Sequence, residues 1–535
     1  MIRTNQTFRI TLFIAVAITL LACCRLILTV EREAVAAAVG SAPNVSLVAF
    51  TTTAPQSKAD DEVVVIDGDL NLVDWKSLVG KKLTVTGDLI VVDNDDLARR
   101  GQVKVARDRL YVPTNQIDPN DADPNETSFE GGSNVGEVVG AQKHNDKATI
   151  ILDDGSPRQN IFPPALFPDL GKKYPTVRVG SVIKGVTGEL VKAGRVLLLV
   201  SDEPLQWTPA ERPKRPDVGE ADVTVASLNV LNYFTTLDDG KNDARGANSE
   251  SELQRQEEKL VSAIIGLEAD VIGLMEIENN LGAENRLVAA LNKKIGMEAF
   301  KGCGLPEGFG NTPGGSDAIR VGVIYRADRV VPVGGVSMIK DDAFYKARTP
   351  VVQVFKSEKI TTPFTVIVNH FKSKGGASRA DVANKNKGDG QGAYNATRRG
   401  QALAICKYID ELSKKEPTPR VLVVGDLNAY EQEDPIDAMR AKGLVNLHER
   451  FGGVPTTGEE EGGYSYIYRG QSGSLDHAMA TESLATNVTG VATWHINSDE
   501  PRFLDYNQEY NPKTLYEANP FRSSDHDPVL IGIRN

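Results

Sequence analysis

Polar side chains able to act on a phosphate group recur directly after apolar runs of this 535-residue sequence. The positions are, in chain order, Asn229, Glu276, His370, Asp426, Asn428, Asp476, Asp525 and His526. Carboxylate and amide oxygens are the ligands that Mg²⁺, Mn²⁺ and Ca²⁺ prefer, whereas zinc favours nitrogen and sulfur. An imidazole with a pKa near neutrality can take a proton from water. Together these residue types predict metal-assisted chemistry at phosphorus.

Two spacings strengthen this prediction. Asp426 and Asn428 end the apolar run Val421–Val424, and side chains two positions apart on a strand point to the same face. They are therefore expected to hold one metal ion or phosphate oxygen together. Asp525 and His526 are adjacent before the last apolar run, which places a metal-ligating carboxylate beside an imidazole that accepts a proton.

Glu276 and Asn229 are ligand candidates mainly because the other polar residues are present. Glu276 lies between Met275 and Ile277, and a carboxylate there is costly to bury unless it meets a cation. Glu278 is two residues further on the same side of the strand and is a rival ligand. Asn229, taken alone, is more typical of a turn than of a metal site.

A basic stretch follows His370, which taken alone is more typical of a structural histidine. Residues 372–407 contain eight Lys and Arg against two Asp in a chain whose net charge is −12. A polyanion-binding loop with Lys372, Lys374 and Arg398 as contacts is one interpretation, and a solvated loop is the other. The overall charge excludes a generally basic nucleic-acid binder.

Familiar alternatives to metal-assisted phosphate chemistry are missing from the sequence. It has no HExxH motif, no Walker loop, no GxSxG elbow and no cysteine cluster. Cys303 and Cys406 are the two thiols beyond the first 36 residues, and pairing and separate burial both remain open for them.

The chain divides into five predicted segments. They are a signal peptide at 1–36, a linker at 37–60, a β-rich domain at 61–207, a proline-rich linker at 208–220 and an α/β domain at 221–535. In the β-rich segment short β-branched runs without a convincing helix predict a small barrel or sandwich. From residue 221 strand-like and helix-like runs alternate irregularly, which predicts two packed sheets flanked by helices.

The first residues predict export. Arg3 and Arg9 precede the apolar run Ile10–Cys24, which is shorter than the roughly 20 residues of a membrane span. We expect a secreted, periplasmic or cell-surface bacterial protein. Lipid anchoring through Cys23 is the alternative to simple secretion, and it is the one membrane association expected.

The motifs, taken in order, resemble the endonuclease/exonuclease/phosphatase superfamily, which includes deoxyribonuclease I. The matching pieces are Ser-Leu-Asn229, Met-Glu276, Asn-His370, Gly-Asp426-Leu-Asn428, Leu-Asp476-His and Ser-Asp525-His526-Asp-Pro. The resemblance implies a four-layer α/β/β/α sandwich. The β-rich segment ahead of it is similar to the OB-like barrel domain of secreted bacterial extracellular nucleases.

The resemblance also implies roles for single residues. The metal would lie among Asn229, Glu276 and Asp525, with Asp426 and Asn428 binding metal or phosphate and orienting the attacking water. His526 would be the general base and Asp476 would fix its tautomer. The remaining roles concern three residues: His370 would contact the phosphate oxygen or leaving group, Arg348 would contact the phosphate, and Asp317 would orient His370.

Two activities fit these roles. The first is a divalent-metal-dependent nuclease that uses Mg²⁺ or Mn²⁺, with Ca²⁺ as a second ion, and cuts extracellular DNA and perhaps RNA without sequence preference. The second is a phosphatase or phospholipase-like hydrolase of the same fold, acting on phospholipid head groups or inositol phosphates. Fold alone does not choose between them. No stable protein partner is expected.

Overall fold

A computed structural model of the chain describes residues 63–120, 133–312, 314–452 and 463–535. All of them fall within one compact unit, Asp61–Asn535. The predicted signal peptide, the linker at 37–60 and Cys23 lie outside the described residues, so the expected export stays a prediction. Within the described part of the chain, no helix combines the length and apolar character needed to cross a bilayer.

A nine-stranded sheet forms the first part of the fold. Its strands are β1 Val64–Ile66, β2 Lys82–Val85, β3 Leu89–Asp93, β4 Val103–Ala106, β5 Ile150–Asp153, β6 Val182–Ile183, β7 Val186–Ala193, β8 Val196–Ser201 and β9 Trp207–Thr208. Their order is β1-β2-β7-β8-β5-β4-β3-β6-β9. The predicted strand-rich region is confirmed, whereas its closure into an OB-like barrel stays a prediction.

This region also contains two helices, α1 Leu97–Arg100 and α2 Val135–Lys147. The expectation that no helix intervenes is therefore wrong. Only Val138 of α2 is buried, so the sequence carries no apolar stripe at helical spacing by which α2 would be recognised.

The remaining chain forms two six-stranded sheets. The first is built from β10 Val223–Tyr233, β11 Val271–Glu278, β12 Phe300–Gly302, β13 Ile319–Arg326, β22 Val488–Thr493 and β23 Val529–Ile533. The second is built from β14 Val330–Met338, β15 Val351–Ser357, β16 Phe364–His370, β17 Val421–Asp426, β18 Leu444–Asn446 and β21 Asp476–Thr481. A separate hairpin consists of β19 Tyr466–Tyr468 and β20 Gln471–Gly473.

The two six-stranded sheets pack face to face with helices outside them. Their shared core includes Val225, Met275, Val368, Val424 and Val529. The helices are α3 Glu250–Leu267, α4 Leu281–Ile295, α5 Asn395–Ser413, α6 Asp434–Arg440, α7 Leu447–Arg450 and α8 Glu482–Ala485. Helices α3 and α4 bury their apolar faces on the first sheet, and α5 and α6 on the second. The four-layer α/β/β/α sandwich is confirmed.

The two thiols of the described residues are both free. Cys406 is buried in α5, and burial raises its pKa to about 12. Cys303 is half-buried beside β12 and forms no disulfide with Cys406. Of the two alternatives left open by the sequence, the structure has separate thiols.

Candidate active site

The polar residues picked out from the sequence stand where central strands of the two packed sheets end. In one sheet β10 and β11 are parallel, and Asn229 is level with Met275, one residue before Glu276. In the other, β16 and β17 are parallel, and His370 is level with Asp426. The carboxyl ends of parallel strands share one edge of a sheet, and these edges carry the candidate site.

Strained backbone marks the same strand ends. Glu276 has a φ of 64° and Asn428 a φ of 49°, in the left-handed region that residues other than glycine rarely occupy. The register of β11 against β13 shifts across Glu276, as a bulge that re-aims a side chain would require. The Asn232 amide donates to Glu276 Oε2 over 3.1 Å. Such strain costs about 1–3 kcal/mol per residue and persists where the surroundings enforce it.

A hydrogen bond between His526 and Asp476 joins the two sheets. His526 Nδ1 lies 2.7 Å from Asp476 Oδ2, and Ser465 Oγ donates to the same oxygen over 2.7 Å. Asp476 begins β21 of one sheet, while His526 precedes β23 of the other. Burial by itself lowers the pKa of His526, but the charge of Asp476 and the bond to it raise that pKa well above its ordinary value.

Three carboxylates, those of Glu276, Asp426 and Asp525, lie close enough to affect one another. Burial raises the pKa of Glu276, and the charge of Asp525 raises it further. Burial also raises the pKa of Asp426 to about 7; His526 opposes this, whereas Asp476 and Glu276 add to it. Buried acids that repel one another are stabilised in their ionised form by a cation between them.

The donor set formed by Asn229, Glu276 and Asp525 fits a divalent cation. Asn229 is buried, and its Oδ1, the atom that would face a cation, accepts a hydrogen bond from the Leu231 amide over 3.0 Å and keeps a second lone pair. Its side chain lies close enough to the Glu276 carboxylate to lower the pKa of that group. Across the described ranges, no three side chains of His, Cys, Asp or Glu are grouped to hold an ion by themselves. The fit therefore depends on the amide together with two acids, which is a hard, oxygen-rich set.

Asp426 and Asn428 are buried beside this set. The Asn428 backbone amide donates to Asp426 Oδ1 over 2.8 Å, and Asn428 Nδ2 lies 3.3 Å from the Phe371 carbonyl oxygen. Asp426 keeps its second oxygen 3.3 Å from His370 Nε2. The pair is thus held by local hydrogen bonds with one carboxylate oxygen directed into the site.

His370 contacts the carboxylates but not the residue expected to orient it. Its Nε2 lies 3.3 Å from Asp426 Oδ2 and 3.9 Å from Glu276 Oε1. Its buried Nδ1 has no hydrogen-bond partner among the described residues, and Asp317 instead lies 3.6 Å from Arg245. The orienting role expected for Asp317 is not supported. Burial, with Arg348 and His526 nearby, holds the pKa of His370 well below its ordinary value.

Arg348 is brought to the site as expected. It is buried, and its Nη2 donates to the Phe371 carbonyl over 2.6 Å. Burial lowers its pKa, whereas the nearby charges of Asp317, Glu276 and Asp426 oppose that change. Its Nε has no partner within the described chain, so the guanidinium retains a donor for a phosphate oxygen.

The three basic residues expected to grip a substrate differ in their placement. Arg398 is fully buried and donates to the carbonyls of Ala393 and Gln391. Lys374 Nζ is 2.5 Å from the fully buried Glu433 carboxylate, and burial lowers the pKa of Lys374 to about 8. In the structure both residues are used in holding the chain itself, and their role as substrate contacts stays a prediction. Lys372 is half-buried near Arg348. Burial lowers the pKa of Lys372, and the charge of Arg348 lowers it further.

Three residues of the site were missed in the sequence. Ser465 holds Asp476, and the Tyr466 ring lies 4.6 Å from that of His526. Asn497 Nδ2 donates to the His526 carbonyl over 2.6 Å. No local sequence pattern distinguishes any of the three from other Ser, Tyr or Asn residues of the chain.

A four-layer sandwich with a sheet-bridging His–Asp pair beside clustered carboxylates defines a class of hydrolases acting on phosphate esters. The chain belongs to the Endonuclease/Exonuclease/phosphatase family, whose model matches residues 226–526. The resemblance of the motifs to this family is thereby confirmed. No curated protein sequence matches the chain.

Several solved structures are similar to somewhat more than half of this chain. A Bacteroides thetaiotaomicron mannosyl-6-phosphatase is 16% identical and covers 58% of this chain and 100% of its own, with a TM-score of 0.34. The human Nocturnin catalytic domain with bound sulfate is 13% identical over 59% of this chain and 95% of its own, with a TM-score of 0.37. D. rerio TDP2 with a single-strand DNA product is 14% identical over 58% and 99%, with a TM-score of 0.36.

Proposed function

We propose that this chain is a divalent-metal-dependent phosphodiesterase that hydrolyses nucleic acid, cutting DNA and also RNA with little sequence preference. The observation that carries the proposal is the 2.7 Å bond between His526 and Asp476 next to the carboxylates of Glu276, Asp426 and Asp525. It combines an oriented base, a set of hard ligands and a positive phosphate contact at one strand edge.

His526 is the general base. Its Nδ1 faces Asp476, which fixes the proton on that nitrogen. The charges of Asp525 and Asp426 also raise the pKa of His526, and a cation bound beside them would oppose that rise, so that Nε2 can accept a proton from water. The charge of Asp476 stabilises the imidazolium that forms, and Ser465 holds the carboxylate in place. Asp426 and Asn428 orient the water beside it.

Arg348 and His370 contact the phosphate. The lowered pKa of His370 keeps its imidazole neutral near pH 7, so it acts as a hydrogen-bond donor to a phosphate oxygen. The guanidinium of Arg348 supplies positive charge close to Glu276 and Asp426. A divalent cation held by Asn229, Glu276 and Asp525 would supply further neutralisation of the phosphoryl oxygens. We propose Mg²⁺ or Mn²⁺ in this place, with Ca²⁺ as a second ion.

Nucleic acid is favoured as substrate by the exposed part of the basic stretch. Arg379, Lys385 and Lys387 are exposed on the insertion that also contains Lys372. A long polyanion uses such scattered positive charge, whereas a small head group has little need of it. We also propose that the chain acts outside the cytoplasm on extracellular DNA, because Arg3 and Arg9 precede an apolar run typical of a signal peptide.

The test compares two chromogenic esters and their dependence on metal. Bis(p-nitrophenyl) phosphate reports diester hydrolysis, and p-nitrophenyl phosphate reports monoester hydrolysis. We expect Mn²⁺-dependent release of nitrophenol from the diester, little from the monoester, and none from either in EDTA. Faster hydrolysis of the monoester would replace the proposed activity with a phosphatase of the same fold.

A further inference from the structure

A cleft of about 980 Å³ lies beside the active site, between the nine-stranded sheet and the hairpin β19–β20. One wall includes Asp93, Arg99 and Lys104, and the other includes Tyr466 and Tyr468. A smaller adjoining cavity is lined by Asp93, Tyr466 and Asp525 together. The cleft therefore continues into the group of carboxylates at the site.

About half of the residues that line this cleft lie outside the part of the chain that the family model matches. Residues 93–104 lie outside the family match at 226–526. The two walls touch at their base, where Lys104 Nζ donates to the Arg469 carbonyl over 2.8 Å. A Cβ built on Gly470 would lie 3.2 Å from Asp93 Cβ, so the hairpin is closely packed against β3. The two walls are therefore in direct contact with each other.

Tyrosine rings line the path away from the site. The ring of Tyr466 lies 4.6 Å from that of His526, at an angle of 32° between the planes. Further out, Tyr468 is 51% exposed and Tyr510 is 66% exposed. Exposed aromatic faces along a groove are the feature on which unpaired bases stack.

Charge contributes less than stacking in this cleft. Its lining has five carboxylates and four cationic side chains, so it is not a basic groove. Two of the acids are also neutralised locally, Asp93 by Lys104 at 3.5 Å and Asp95 by Arg502 at 3.3 Å. A ligand held here is bound mainly through flat apolar faces and hydrogen bonds, with a weak dependence on salt.

We propose that this cleft binds the single-stranded segment of nucleic acid next to the scissile phosphodiester, with its bases against Tyr468 and Tyr510. The inference rests on the proposed function and names the form of substrate that the site takes. Bases in a duplex are stacked on each other and offer no free face to a tyrosine, whereas those of a single strand do.

The binding test uses fluorescein-labelled dT15 and the full chain carrying Asp476→Asn, which slows turnover by about 10²-fold or more, in Mg²⁺. We expect Tyr468→Ala and Tyr510→Ala each to weaken dT15 binding by about fivefold or more, as for loss of one stacked base. Tyr345→Ala, an exposed tyrosine that does not line the cleft, is the matched control. Tighter binding of the dT15·dA15 duplex, or equal binding by all variants, would overturn the proposal.

A second measurement separates failure of this inference from failure of the proposed function. With Asp476 intact, Tyr468→Ala and Tyr510→Ala should lower kcat/KM on dT15 while leaving hydrolysis of bis(p-nitrophenyl) phosphate unchanged. Unchanged kcat/KM on dT15 would remove the cleft from substrate binding and leave the diesterase activity standing. Equal losses on both substrates would show a structural effect of the tyrosines and would also overturn the strand-binding role.

Discussion

Asp476 begins a strand of one sheet, His526 precedes a strand of the other, and a 2.7 Å hydrogen bond joins the two residues across the sandwich. Each sheet alone supplies only part of the proposed machinery. Glu276 lies two residues before the end of β11 in one sheet, and His370 ends β16 in the other. The proposed catalysis therefore depends on the packing of the two sheets as much as on any single motif.

Asp476→Asn is expected to lower kcat on a diester by about 10²-fold or more, because an amide cannot stabilise the imidazolium of His526. The side chains are nearly equal in size, so the melting temperature should change little. Steady-state kinetics and thermal unfolding measure the two effects. Asp410→Asn, at an exposed position of α5, is the matched control, and an Asp476→Asn enzyme as active as this control would contradict the role.

Asp426→Ala is expected to lower turnover by at least about 10²-fold without unfolding the chain, since it removes a ligand and water-orienting group. Far-UV circular dichroism should be unchanged. A variant that keeps full activity would remove Asp426 from the machinery. A variant that simply unfolds would indicate a structural role for this buried carboxylate.

Metal affinity is expected to rise with pH around neutrality. Burial raises the pKa of Asp426 to about 7, so a proton occupies this group in part of the metal-free protein near neutrality, and burial also raises the pKa of Glu276. A cation favours the ionised form, and binding must release protons below the raised pKa values. Affinity should increase by up to about tenfold per pH unit per proton between about pH 6 and 8, and then level. Calorimetry of Mn²⁺ binding in two buffers measures the release, and binding independent of pH would contradict it.

Lys374→Met tests the structural role assigned to the basic stretch. Removing one partner of a buried ion pair costs up to about 3–5 kcal/mol, and the cost here is reduced because Arg398, 3.9 Å from Glu433, still compensates part of its charge. Glu433 is fully buried, with Lys374 Nζ 2.5 Å away. Denaturant unfolding should show the loss, whereas Lys387→Met at an exposed position should not. Unaltered stability with weakened DNA binding would restore Lys374 as a substrate contact.

Much of the sandwich could be predicted from the sequence, because its central strands are nearly continuous apolar runs. Val421–Asp426 is buried at every position, which is typical of a strand covered on both faces. The polar residues Asp426 and Asn428 stand at its end, so one short stretch of sequence predicts both the strand and the site. The same holds for Phe364–His370.

The rest depends on contacts that no local pattern encodes. The sequence shows the charge of Lys374. It does not show that Lys374 pairs with Glu433, because the two residues are 59 positions apart. Ser465 and Tyr466 reach the site through a hairpin that also contacts the nine-stranded sheet. Asp317 shows the converse, because a carboxylate in a plausible motif pairs with Arg245 instead of His370.

Metal-dependent cleavage of nucleic acid by His526 is the claim on which the other proposals depend. Nicking of supercoiled plasmid measures it, because negative supercoiling opens single-stranded segments of the kind that the cleft is proposed to bind. The purified chain, His526→Ala and the control His144→Ala, whose imidazole is exposed on α2, are compared in Mg²⁺, in Mn²⁺ with Ca²⁺, and in EDTA. The account predicts nicking by the native chain and His144→Ala in metal, at least about 10²-fold slower nicking by His526→Ala, and none in EDTA. Plasmid left intact by the native chain in every metal, or cut equally by His526→Ala, would contradict it.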